Sequence, residues 1–482
     1  MDSATTFNHI NKQKSNGRYY TPFDMVRLIL DTAGYRDENI LKKHIIDNSC
    51  GDGAFLCEIV RRYCKIALRN GYKIEQLQYD LAYYIHGIEI EMIEYQKCIE
   101  NLNKITQYFG IFQVAWDIKN ADALTCQDYN SKMDFVVGNP PYVRVHNLLD
   151  YSSVKQFHFA QQGMTDLYIV FYEIGLAMLN KTGVLCYINP SSLFNSLAAK
   201  TLRKNLIQQQ LLQKIIDLKH TQIFNATTYT AIILLSKQEN NAIEYTNYET
   251  QQTEILKYND FYIDDNFYFS TAKNLKQIKH ILFKQPERNR IDVKNGFATL
   301  YDKFFIGDFD FDEYIIPVVK SSTGKMQKCF YPYDKHGQYI DYYELIKIPK
   351  IKEYYLLNEQ HLKSRSLENK NIWHIFGRSQ GVLDTWKNKY AINALIRHVD
   401  DIKLTPCPAG VGSYSGLYIL TELPFEEIKD ILCQQEFVNY IYSLGKYKQG
   451  GYYTFSSKDL LKYLDYKIVG KQNGQSDLFE RA

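Results

Sequence analysis

Two rhythms alternate along the first half of the chain. Short, nearly unbroken apolar runs give way to segments whose apolar residues recur every three or four positions. The runs read as buried strands and the segments as amphipathic helices. Residues 20–33, "YTPFDMVRLILDTA", predict a helix with Thr21 near its cap and Pro22 in its first turn. "HIIDNSCGDGAFLCEIVRRYCKIAL" (44–68) predicts a strand, a glycine-containing turn and a helix. "YYIHGIEIEMIEYQKCIENL" (83–102) repeats that unit with an acidic pair at the strand end. "FQVAWDIKNADALT" (112–125) and "MDFVVGNPPY" (133–142) are two further strand ends, and residues 166–194 and 211–237 continue the alternation. Strands and helices alternating at these lengths predict a doubly wound α/β sheet. The rhythm fades after about residue 240, where "SKQENNAIEYTNYETQQTE" leads into irregular, tyrosine-rich sequence. Two domains are therefore expected, 1–258 and 259–482, the second of α+β character.

At 482 residues the chain is too long for a single compact core. No apolar run has the length of a membrane span, and the N-terminal residues lack the apolar stretch of a secretion signal. Nine cysteines without a Cys-x-x-Cys pair indicate neither a disulfide framework nor a zinc site, so a reducing cytoplasm and no metal are expected. A net charge of +3 leaves nucleic-acid binding open. The basic signal is local: Lys273, Lys276, Lys279, Lys284, Arg288 and Arg290 lie close together, the first three at helical spacing. Such stripes are usually solvated faces, with phosphate contact as the functional alternative. The 41 tyrosines follow a general compositional bias toward Tyr, Asn, Lys and Ile.

The chemistry concentrates where strands end. In "DFVVGNPPYVR" (134–144), a buried strand stops at Asn139, Pro140, Pro141 and Tyr142. Neither proline can donate to a ladder, and each holds the preceding residue extended. The result is a stiff corner bearing an amide, a free carbonyl and a ring. In an open α/β sheet, ligands bind at that edge. Gly51 and Gly53, in "DNSCGDGAFL" after Asp47, allow close backbone approach to a ligand. The loop lacks the third glycine of the dinucleotide fingerprint and the Gly-Lys-Ser/Thr of a P-loop. Glu89, with Glu91 as a possible substitute, is placed to accept from two ribose hydroxyls. Asp122 is placed to accept an exocyclic adenine amine. Each acid alone is more often a surface residue; their order at successive strand ends favours a site.

As a set these segments resemble the gamma class of S-adenosylmethionine-dependent amino-methyltransferases of restriction–modification type. The likeness covers roughly the first 240 residues. It implies a class I methyltransferase sheet, Rossmann-like, followed by a target-recognition domain. By it, Thr21, Asp47, Gly51, Gly53, Glu89 and Asp122 would hold S-adenosylmethionine, and Asn139, Pro140, Pro141 and Tyr142 would form the catalytic tetrapeptide. Asp166, Leu167 and Tyr168 continue the match, and Phe224 corresponds to an aromatic on the target base. "VKNGFATLYDKFFI", "GRSQG" and "GGYYTFSSKDLLKYL" resemble, less specifically, segments of the recognition domain. Two departures stand out: Asn48 where the class often has Pro, and an interval from Asp47 to Glu89 longer than the about 20 residues of a minimal dinucleotide unit.

The implied activity is methyl transfer to N6 of an adenine flipped out of double-stranded DNA, with a separate restriction endonuclease as a possible partner. The same tetrapeptide would serve a methyltransferase acting on an RNA adenine or a protein glutamine amide. A catalytically inactive DNA-binding module is the third reading. Thr21-Pro22 ahead of the glycine loop and the long C-terminal region favour DNA.

Overall fold

The computed structural model describes residues 20–145, 152–224, 228–283, 291–367 and 369–472. The chain forms two compact units, Met1–Leu275 and Lys276–Ala482. The division falls after residue 258 for an identifiable reason. The buried Arg203 guanidinium donates to the Asp265 carbonyl (2.7 Å) and to Asn266 Oδ1 (3.2 Å), and also to the Leu193 and Ser196 carbonyls. A buried guanidinium must have its donors satisfied, so residues 265–266 are tied to the first unit.

That first unit is built on a nine-stranded sheet with spatial order β3-β2-β1-β4-β5-β7-β6-β8-β9. Its parallel half comprises β1 (Ile45–Asp47), β2 (Ile85–Glu89), β3 (Asp117–Asn120), β4 (Met133–Gly138) and β5 (Leu179–Pro190). β6 (Leu212–Asp217) and β7 (Thr230–Ser236) are antiparallel neighbours, and β7 also runs antiparallel to β5. A further hairpin, β8 (Ala242–Asn247) and β9 (Gln252–Lys257), extends the sheet. The sheet is thus mixed, with the doubly wound order in its parallel half.

Helices cover the sheet because one stripe of each is apolar. In α1 (Phe23–Thr32), Met25, Val26, Ile29 and Leu30 are buried. In α2 (Ala54–Arg69), Phe55, Leu56, Ile59, Val60 and Tyr63 are buried. Pro22, rather than Thr21, is the cap residue of α1, and no side chain caps that helix. A complete helix, α3 (Ile74–Tyr84), stands between α2 and β2 and accounts for the long interval before Glu89. α4 (Met92–Tyr108) follows β2, and α5 (Leu167–Met178) precedes β5. Asn48 serves as a buried acceptor, taking the Tyr187 hydroxyl proton at 2.9 Å.

The second unit contains a four-stranded sheet, in spatial order Ile291–Asn295, Leu417–Thr421, Lys389–Ile392 and Leu404–Cys407, and two three-stranded sheets, one of Lys325–Phe330, Ile315–Lys320 and Gly412–Tyr414, the other of Leu395–Ile396, Tyr452–Thr454 and Tyr447–Lys448. Its core is aromatic: Phe297 stacks on Phe376 at 4.4 Å, and Phe304, Phe305, Phe330 and Tyr355 pack around them. Tyr331, Tyr355, Tyr414 and Tyr418 are buried, so many of the abundant tyrosines are packing residues. Lys273, Lys276 and Lys279 lie on the helix Ala272–Phe283, with Lys273 and Lys276 exposed. Lys284, Arg288 and Arg290 lie outside the described residues.

Candidate active site

Register places the candidate residues in a row. Asp47 pairs with Gly87 on one side and Val137 on the other, and Glu89 pairs with Asn120. Asp122, Glu89, the loop after Asp47 and Asn139 therefore occupy the C-terminal ends of four adjacent strands. β1 and β4 flank the point where strand order reverses, the expected ligand crevice of such a sheet. At about 4.8 Å per strand spacing, the row is some 14 Å across, a span suited to an extended nucleoside–amino acid cofactor.

Each polar group in the row is held locally. Glu89 braces the glycine loop: one carboxylate oxygen accepts the Gly51 N–H at 2.9 Å and the other the Glu91 N–H at 2.8 Å. Asp122 turns back to accept the Leu124 N–H at 2.9 Å, while the Asn120 side chain ties the strand end to the Glu89 and Ile90 carbonyls. Asp47 is 1% exposed and accepts the Ser49 N–H at 3.1 Å. Burial pushes its carboxyl up to about 7; the Ser49 bond opposes the shift and nearby Glu89 adds to it.

The two loop glycines have different reasons. Gly51 sits at φ +54°, and a Cβ there would meet open space, as expected of backbone facing a ligand cleft. Gly53, at φ +90°, is pressed against α4, where a Cβ would lie 2.8 Å from Cys98 Sγ. Gly53 therefore shapes the helix packing beneath the loop.

The tetrapeptide meets the row from β4. Asn139 Nδ2 donates to Thr21 Oγ1 at 3.2 Å, joining residues 118 positions apart. Pro140 is buried. Tyr142 donates its hydroxyl proton to the Ile188 carbonyl at 3.1 Å. Beyond the corner, the Val145 and Leu167 N–H groups bond the Thr165 and Val143 carbonyls, bringing Asp166, Leu167 and Tyr168 alongside. Tyr142 then meets Tyr168 and Phe224 edge-on, each at 6.2 Å between ring centres and 81° between planes. Phe224 is 4% exposed and belongs to the main core. The structure thus brings Phe224 to Tyr142, but the two rings are perpendicular rather than arranged as a parallel slot.

Gly138 belongs to the site although its side-chain-free position attracts no chemical attention. Its φ is +152°, and a Cβ there would lie 2.7 Å from Asp47 Oδ1. The only signal in the sequence is a glycine ending an apolar strand immediately before Asn139. Among the described residues, no group of three or more His, Cys, Asp or Glu is arranged to hold a metal, and no helix is long and apolar enough to cross a membrane.

Known proteins similar to this chain include restriction–modification methyltransferases. Residues 53–224 match the Eco57I restriction-modification methylase family. The chain is 26% identical over 414 residues to the type II methyltransferase M.BstVI of Geobacillus stearothermophilus, covering 74% of this chain and 73% of that protein. It is 24% identical over 471 residues to the type II restriction enzyme and methyltransferase RM.Eco57I of Escherichia coli, covering 75% of this chain but only 47% of that protein. The chain therefore spans about half the length of that second relative. The type IIL restriction-modification enzyme MmeI, solved in complex with DNA, superimposes with a TM-score of 0.62 at 15% identity, over 99% of this chain and 71% of that one. The last likeness extends the shared fold across both units.

Proposed function

We propose that this protein is an S-adenosylmethionine-dependent DNA methyltransferase that modifies N6 of adenine within a specific duplex sequence. The observation that carries this reading is the alignment of Asp122, Glu89, the Gly51 loop and Asn139 along one sheet edge. The residues suit the cofactor. The Glu89 carboxylate fits ribose hydroxyls, Asp122 fits an adenine amine, and the open space beside Gly51 fits the amino-acid moiety. When bound there, S-adenosylmethionine supplies an electrophilic methyl on a positively charged sulfur.

The chain's own task is to prepare the acceptor amine. Adenine's exocyclic nitrogen is a poor nucleophile because its lone pair is delocalised into the ring. Asn139 Oδ1 and the Pro140 carbonyl accept its two hydrogens and draw the nitrogen toward a tetrahedral form. Its lone pair then points along the transfer axis. Positioning two reactants at near-attack distance supplies much of the rate. An adenine inside a duplex is out of reach, so it must leave the stack, and Tyr142 with Phe224 offers aromatic surface to receive it. Phe224 must reorient to stack, given its edge-on contact with Tyr142. We assign sequence recognition to the second unit. The comparison with M.BstVI favours DNA over an RNA adenine or a glutamine amide as substrate, since that relative is a type II methyltransferase.

The test is to incubate duplex DNA with methyl-labelled cofactor, digest to nucleosides and separate them. Label in N6-methyl-2′-deoxyadenosine supports the reading; label solely in N4-methyl-2′-deoxycytidine, or label only in RNA or protein offered in parallel, overturns it.

A further inference from the structure

Thr21, expected at the cofactor site by resemblance, meets the tetrapeptide: its hydroxyl oxygen accepts the Asn139 amide at 3.2 Å. The contact is well supported on both sides. Thr21 is 8% exposed and immediately precedes Pro22, which holds it extended. Its β-branched side chain is stiff at χ1. Pro22 in turn is fixed by the first turn of α1, its carbonyl accepting from Met25 at 2.9 Å and Val26 at 3.0 Å. α1 itself is anchored by its buried stripe. On the other side, the Asn139 backbone follows Gly138, which abuts Asp47.

A side-chain amide has two faces of opposite chemistry. One end accepts and the other donates, and rotation by half a turn exchanges them. An Asn139 turned the wrong way would offer two N–H donors to the hydrogens of the substrate amine, which repel. We propose that Thr21 is a positioning residue for methyl transfer: by accepting from Asn139 Nδ2, its hydroxyl holds the amide with Oδ1 directed to the substrate amine. This rests on the functional reading above and adds a residue that acts through Asn139 rather than on the cofactor.

The experiment uses the full chain and compares wild type with Thr21→Val, which keeps the shape but removes the acceptor, and Thr21→Ser, which keeps it. Single-turnover methyl transfer is measured at saturating cofactor and DNA, with cofactor affinity measured separately by equilibrium dialysis. In parallel, the Asn139 side-chain NH2 signal is followed by NMR on protein labelled with 15N-asparagine, assigned through Asn139→Ala. Thr21→Val should slow the saturated rate about 5- to 10-fold, the scale of one net hydrogen bond, and shift the NH2 signal. Thr21→Ser should stay within about twofold, since the same bond is kept. Adding Thr21→Val to Asn139→Ala should cost nothing further. A wild-type saturated rate in Thr21→Val with weakened cofactor binding would assign Thr21 to the cofactor alone. Equal loss in Val and Ser would deny the hydroxyl its role. A wild-type protein that transfers no methyl to DNA overturns the functional reading and the proposal with it. An unmoved NH2 signal in an active enzyme overturns the proposal alone.

Discussion

Two corners of this molecule use glycine and backbone bonds to opposite ends. At the end of β4, Gly138 lets the strand press on Asp47, and the polar side chains around it turn inward to partners: Asn139 to Thr21, Tyr142 to Ile188. In the second unit, the loop 377–381 is pinned just as firmly. Gly377 and Arg378 donate to the Thr299 and Ala298 carbonyls, and Ser379 and Gly381 accept from Val382 and Asp384. A Cβ at Gly377 would lie 2.3 Å from Leu300, and one at Gly381 would lie 2.9 Å from Tyr418. Yet the side chains of Arg378, Ser379 and Gln380 are exposed and bond no described residue. In the proposed function, the first corner fixes side chains for chemistry on one substrate group. The second fixes only backbone and leaves three side chains available, as a surface that reads another molecule requires.

The comparison breaks most sharply at Asn139. Asn139→Ala should lose at least about 100-fold in single-turnover rate, the scale of one preorganised hydrogen-bonding group, while cofactor affinity and cooperative melting persist. A near-normal rate would remove the corner from the chemistry. Gly138→Ala comes next, because it drives a Cβ into Asp47 at an unfavourable φ. Strain of this kind costs about 1–3 kcal/mol, so melting and rate should fall together. Unchanged melting would show that the strand end has room to spare.

Arg378→Ala should do the reverse, leaving melting and cofactor affinity alone while weakening binding to the target sequence by about 1–3 kcal/mol. A loss shared equally by unrelated sequences would make Arg378 a phosphate contact instead. Smaller still is Tyr142→Phe. It removes the bond to the Ile188 carbonyl and should cost about 1 kcal/mol of stability, with the rate retained because stacking needs only the ring.

Protonation sharpens the comparison from another side. Asp47 is held up to about 7 by burial, so between its ordinary value and 7 the folded chain keeps a proton that the unfolded chain has lost. Its contribution to stability is therefore fully present in acid and is lost as pH rises toward 7. Asp47→Asn removes that decline. Thermal melting of the variant relative to wild type should improve from about pH 4 to about pH 7 and then level off. A pH-independent difference would mean that Asp47 ionises normally.

Much of the candidate edge was legible because strand ends announce themselves. Asp47, Glu89 and Asn139 end or follow apolar runs, Asp122 follows the short mixed strand β3, and parallel register converts that sequential pattern into a spatial row. The contacts that cross the chain were not legible. Nothing in the sequence pairs Thr21 with Asn139, and the pattern suggests a helix cap for Thr21 where the structure gives a contact across the sheet edge. Gly138 escaped notice because its role is the absence of a side chain. The later boundary depends on Arg203 reaching residues 265–266, a bond between elements that hydrophobic periodicity does not encode. In the second unit, short strands and an aromatic core give no regular period, so its sheets could not be drawn beforehand.

The central claim is that the edge bearing Asn139 methylates adenine in a defined sequence. Its most direct test is sequencing, with modified-base detection, of genomic DNA from a host lacking adenine methylation that expresses either wild-type protein or Asn139→Ala. The account predicts N6-methyladenine at one recurring sequence motif with wild type and none above background with the variant. Modified cytosine in place of adenine, equal adenine modification with the variant, or no modified base despite folded, abundant wild-type protein would contradict it.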